Sequence, residues 1–132
     1  MTVYAYPEEL NHRQISCKEG WLNLEVFQEV QKNLLIKPLE SLVPKDFLED
    51  DLEGHFSGKL VFLSMGSQGS VNVELMKRLL RVLSASNHKY IVSKGPRHQE
   101  YSLPGRNMTG ERYLPQTDLL PHCHLVITHG GK

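Results

Sequence analysis

Two short stretches of this 132-residue chain carry residue types able to hold a phosphate. The first is "LSMGSQGSVNVEL", in which Gly66 and Gly69 lie between an apolar run and a helical pattern, with Ser64, Ser67 and Ser70 around them. Glycine lets the backbone approach a ligand closely. The free N–H groups of a first helical turn, the helix dipole and the hydroxyls then supply the donors. The stretch lacks the Gly-Lys-Ser/Thr ending of a Walker loop and does not spell G-x-G-x-x-G. The same residues also suit a plain strand-to-helix turn with a serine cap. The second stretch is "RYLPQTDLLPHCHLVITHGG", where His129 follows an apolar run and precedes Gly130 and Gly131. By itself His129 reads more readily as a structural residue than as a ligand contact. Both turns follow strands, however, so both fall on the carboxyl edge of a sheet, where open α/β proteins bind ligands.

The elements needed to position these turns are legible nearby. "KLVFLSMG" and "HLVIT" are continuous apolar runs, the pattern of parallel strands covered on both faces. "KYIVSKG" reads as another strand, "NMTGERYL" as a short one, and "PQTDLLPHC" as one or two helical turns. "SVNVELMKRLLRVLSAS" reads as a helix with Ser70 as its N-cap and Glu74 at the positive end of its dipole. Its principal apolar stripe is Val71, Leu75, Leu79 and Val82, with Met76, Leu80 and Leu83 beside it. Strands alternating with helices predict a Rossmann-like α/β fold: a parallel sheet with flanking helices and right-handed crossovers. Residues 1–57 read as a loosely structured lead-in. Within it "TVYAY" is a short strand and "WLNLEVFQEVQKNLL" a helix, followed by a stretch rich in acids and broken by Pro38 and Pro44.

Composition narrows the function. With 39% hydrophobic and 23% charged residues the chain is globular in character. Lys plus Arg equals Asp plus Glu at 15 each, so no overall field draws it to nucleic acid or anionic lipid. Any anion must be bound by a few aimed groups. Cys17 and Cys123 stand far apart with no metal-ligand spacing and read as unpaired thiols. No run approaches the roughly 18 apolar residues of a membrane span. The first residues lack the layout of a signal peptide, and the expected location is cytoplasmic.

The combination of "VFLSMGSQGS" with the later "LPQTDLLPHCHLVITHGG" resembles the nucleotide-sugar-binding half of UDP-glycosyltransferases, inverting and metal-independent two-domain enzymes with the GT-B architecture. The resemblance runs from about Lys59 to Gly131, and "YAYPEEL" also looks like the family's approach to this half. The specific part is an aromatic or small hydrophobe, x-Pro-Gln, a Leu pair, a buried strand and His-Gly-Gly. Here these are Tyr113, Pro115, Gln116, Leu119, Leu120, His129, Gly130 and Gly131. Tyr113 stands where many members have a tryptophan stacked on uracil, a role its smaller ring can also fill. The resemblance implies that Gln116 lies near the uridine and that Gly66 and Ser67 face the diphosphate. It implies too that His129 donates to a phosphate oxygen, while Gly130 and Gly131 open a phosphate-binding helix. Fixed donors of this kind stabilise the departing UDP without a metal.

In the family the His-Gly-Gly turn continues into a helix and an acidic-Gln pair that holds the sugar, and the catalytic base sits on an acceptor-binding half. This chain matches neither part. The expectation is therefore a lead-in (1–57) plus a partial UDP-sugar-binding domain (58–132) of a hexosyltransferase, inactive alone, needing no cofactor, and open to self-association along an uncovered sheet edge. Two alternatives stand. One is another Rossmann-like nucleotide-binding enzyme, although Ser93-Lys94-Gly95 occupies the place of an acidic ribose ligand. The other is a non-catalytic, truncated interaction protein. His122 and His124 flank Cys123 without zinc spacing. Asn107-Met108-Thr109 is a glycosylation sequon, and Lys94 and Arg97 are candidates to lie near a nucleotide.

Overall fold

The computed structural model describes residues 2–4, 21–23, 36–49 and 58–130. The chain divides into two compact units, Met1–Leu35 and Ile36–Lys132. In the first, β1 (Thr2–Tyr4) pairs in parallel with β2 (Trp21–Asn23), Thr2 opposite Trp21. Residues 21–23, expected to begin a helix, are thus a strand. The rest of that expected helix, residues 24–35, lies outside the described residues, as does Cys17.

The second unit opens with a 3-10 turn (Leu39–Ser41) and the short α1 (Lys45–Glu49). Then come β3 (Leu60–Ser64), α2 (Gly66–Gly69), α3 (Val73–Ser84) and β4 (Lys89–Ser93). A 3-10 turn at His98–Glu100 leads to β5 (Met108–Glu111). α4 (Gln116–Leu119) runs into a last 3-10 turn, Leu120–His122, before β6 (Leu125–Thr128). The strands form one all-parallel sheet in the order β5-β4-β3-β6, with helices on both faces.

The pleat sends alternate residues to opposite faces. On one face Val61, Leu63, Tyr90, Val92 and Met108 meet Val73, Met76 and Leu80 of α3. On the other, Phe62 and Ile91 meet Leu119 of α4 together with Val43 and Phe47. Each such side chain, fully buried, contributes roughly 1.5–3 kcal/mol. Val43 and Phe47 explain why the compact unit begins at Ile36 and not near residue 58. The stretch read as loose because of its prolines and acids delivers two apolar anchors to the sheet. Lys89, itself buried, locks it there by donating from Nζ to the carbonyls of Phe47 at 2.7 Å and Leu48 at 3.3 Å. A cation on the last carbonyls of a short helix also suits its dipole.

Two details of α3 differ from the sequence reading. Its cap is Asn72, whose side chain accepts a hydrogen bond from the Leu75 N–H at 3.0 Å; Ser70 belongs to the end of α2. The buried stripe is Val73, Met76 and Leu80, whereas Val71, Leu75 and Val82 are exposed. Both stripes are apolar. The one that wins is the one Val73 extends after Asn72 has set where the helix begins. No helix among the described residues is long and apolar enough to cross a membrane.

Candidate functional site

The register makes the carboxyl edge of the sheet level: Ser64 lies opposite both Ser93 and Thr128, and Ser93 opposite Glu111. Four turns leave this rim. The chain steps from β3 to β4 and β5 on one side, then returns to β6 on the other, so the strand order reverses between β3 and β6. That reversal opens the crevice in which open α/β sheets bind ligands.

The two glycine turns meet there. Gly66, just past β3, has φ +63°, a left-handed conformation that costs a side-chain-bearing residue strain. The His129 ring, just past β6, lies directly over its Cα. A Cβ added at Gly66 would stand 2.6 Å from His129 Cε1 and 3.3 Å from Nε2. Glycine is thus required twice, once for the backbone and once for the close approach of the imidazole. His129 and Ser67 are solvent-accessible, and Gly130 (φ +72°) faces open space. An accessible imidazole, an accessible hydroxyl and unencumbered backbone therefore share one corner of the rim. Gly131 lies outside the described residues.

Tyr113 and Gln116 follow β5 on the same edge. β5 lies two strands from β3, roughly 10 Å along the rim at the usual strand spacing. The Tyr113 ring is 60% exposed, with the Arg112 guanidinium 5.1 Å over its centre. A base stacking on this ring would use the other face or displace the guanidinium, and either arrangement is favourable for a π-system. Gln116 begins α4 and is exposed. α4 is pinned by fully buried Leu119 and by Asp118, which pairs with Lys37 at 2.8 Å.

Several candidates have other employment. Arg97 is bound to Glu100 through two nitrogens and donates from a third to the Val71 carbonyl at 3.0 Å. The hydrogen bonds from Arg97 hold the Glu100 carboxyl below its ordinary value. Lys94 sits 5.2 Å over the Tyr101 ring, whose hydroxyl donates to the Lys94 carbonyl at 2.8 Å. Burial pushes that phenol up to about 12. His122 lies in a 3-10 turn with Nε2 against the Lys37 carbonyl, while His124 Nδ1 accepts from the Leu60 N–H at 3.2 Å. The two rings do not act together, and no group of three or more metal-ligating residues occurs among the described residues. Cys123 is a half-buried free thiol, its pKa raised by burial. Asn107 of the sequon is buried and donates to the carbonyls of Ser86 at 3.2 Å and His88 at 2.8 Å.

One contributor was visible in the sequence but read there in another role. Ser70, 1% exposed, donates through Oγ to the Gly66 carbonyl at 2.6 Å and so holds the left-handed turn in place. The third serine of "SMGSQGS" is a visible signal, but a serine before a helical pattern reads first as a cap. Compared with known proteins, the chain matches no family model and no curated protein.

Proposed function

We propose that the chain is part of a UDP-glycosyltransferase of GT-B type, contributing part of the site for a UDP-sugar whose hexosyl group passes to a small lipophilic acceptor. The observation that carries this reading is the contact between the His129 imidazole and Gly66 at the β3–β6 crevice. It brings the two sequence motifs that resemble the family to one corner of the rim. In this reading the accessible His129 and Ser67 donate to the diphosphate, with Gly130 leaving it room beside them. Tyr113 and Gln116, farther along the same rim, take the uridine. That order, base toward β5 and phosphates toward β6, suits a nucleoside diphosphate lying across the carboxyl ends of the strands. With part of the cradle in this chain, catalysis requires an acceptor-binding half, and the chain alone is expected to bind without turning over.

The test is a ¹⁵N-resolved NMR titration of the chain with UDP. Binding should be weak, on the order of millimolar, since a partial site leaves much of the ordering cost unrepaid. Shifts should cluster at Ser67, Gln116 and His129. A titration to tens of millimolar that moves none of them overturns the reading.

A further inference from the structure

The four rim turns are not independent, because a continuous line of contacts joins them through Ser70. At the β5 end, the Gly95 N–H donates to the carbonyl of Arg112 at 2.9 Å, and the neighbouring Lys94 N–H donates to Glu111 at 2.8 Å. Gly95 then abuts Ser70: a Cβ at Gly95 would stand 2.0 Å from Ser70 Oγ and 2.6 Å from its Cβ. Ser70 Oγ donates to the Gly66 carbonyl at 2.6 Å, its own N–H donates to the same oxygen at 3.1 Å, and Gly66 carries the His129 ring. The line therefore runs Arg112, Gly95, Ser70, Gly66, His129, with one turn from each of the four strands. Arg97 braces it from outside by holding the Val71 carbonyl, one residue beyond Ser70.

We infer that Ser70 is a positioning residue, wedged between Gly95 and Gly66 so that the turn after β5 and the imidazole after β6 move as one body. Three observations separate this from ordinary packing. Ser70 is buried, and its hydroxyl donates mainly to the Gly66 carbonyl at 2.6 Å, with the Ser67 carbonyl farther off at 3.4 Å. The residue pressing on it is a glycine with φ +76°, at which any added Cβ would overlap the Ser70 side chain. The last member of the line is an accessible imidazole. The inference rests on the proposed donor site only for the ligand it would serve; the coupling itself belongs to the free chain.

Its test uses the whole chain and does not depend on UDP. In Gly95→Ala, whose new methyl touches neither Gly66 nor His129, the Gly66 amide and the His129 ring signals should both shift, while strand amides such as that of Ile91 stay in place. Ser70→Ala should shift the same two sites without touching the imidazole directly. If the His129 ring signals of both variants match the parent, the coupling is overturned, whatever UDP does. Should either variant fail to fold, the unmodified chain still decides the matter with inorganic pyrophosphate as the probe. The amides of buried Ser70 and Gly95 should then respond together with those of Ser67 and His129; movement of the last two alone refutes the line of contacts. Where UDP binds the parent chain, Ser70→Ala should weaken it about fivefold, the effect of misplacing one hydrogen bond. Unchanged affinity would count against Ser70. Failure of the parent chain to bind UDP strikes the proposed function and leaves the coupling to the NMR comparison.

Discussion

Replacing Gly66 with alanine tests the junction of the two turns most directly. The added Cβ meets two separate costs. The backbone at φ +63° is left-handed, worth about 1–2 kcal/mol against any residue with a side chain. The methyl would also stand 2.6 Å from His129 Cε1, closer than van der Waals contact permits. His129 is solvent-accessible, so its ring can swing aside at little cost to the fold. Stability should therefore fall by about the backbone cost alone, a drop in melting temperature of about 4–16 °C for a unit of this size. Gly130→Ala provides the control, since Gly130 has φ +72° but nothing within 4 Å of a new Cβ. The two variants should melt within a few degrees of each other, yet only Gly66→Ala should move the His129 ring resonances and abolish UDP-dependent shifts. Thermal melts followed by circular dichroism, with ring-proton spectra of both variants, decide it. If Gly66→Ala leaves the imidazole signals of the parent intact, the two turns are not in contact and the shared corner dissolves.

Other expectations follow from the core and its buried polar groups. Leu80→Asp should abolish cooperative unfolding because Leu80 is fully buried, whereas Val82→Asp, 68% exposed, should change stability by no more than about 0.5 kcal/mol in a urea melt. A larger loss from Val82→Asp than from Leu80→Asp would mean α3 presents its other stripe to the sheet. Asn107→Ala strands the carbonyls of Ser86 and His88 and should cost about 1–3 kcal/mol, read as a lower urea midpoint at unchanged slope. Tyr101 makes stability depend on alkaline pH. Its phenol is raised from an ordinary 10 to about 12 in the folded chain, so its contribution is whole below about pH 10 and drains away as the pH climbs to about 12. Urea midpoints across that window should fall less steeply in Tyr101→Phe; identical slopes would place the phenol in contact with solvent.

β3 and β4 were legible because their apolar runs, rich in Val, Ile, Leu, Phe and Tyr, end at serine just before a loop, so local pattern and tertiary burial agree. α3 was legible as a helix but not in its orientation. The apolar residues of "VELMKRLLRVLS" fill one continuous arc of about half the helix circumference, and only the sheet decides which part of that arc it covers. The segment from Ile36 to Glu49 was misjudged for a related reason. Prolines and acids describe its surface, while its place in the fold depends on just Val43, Phe47 and the reach of Lys89 from another element. In the site, the turn residues Gly66 and His129 announced themselves. Their contact did not, because it exists only when residues 64 positions apart, such as Leu60 and His124, are brought side by side. Ser70 was visible but assigned to the wrong helix, since Asn72, two residues on, is the better-placed acceptor.

Among the described residues β6 has a strand neighbour on one side only, β3, and it presents Leu125 and Val126 to solvent. A border element held by a single ladder is the first to fray when a sheet breathes. Each such opening carries His129 away from Gly66 and dismantles the corner. An anion that touches both turns would then act as a clasp, binding only the zipped form and slowing the fraying in proportion to its occupancy. The amide of Ile127 would register this in hydrogen exchange, growing more protected as the clasp closes, so an exposed border strand would report on any anion held between the two turns.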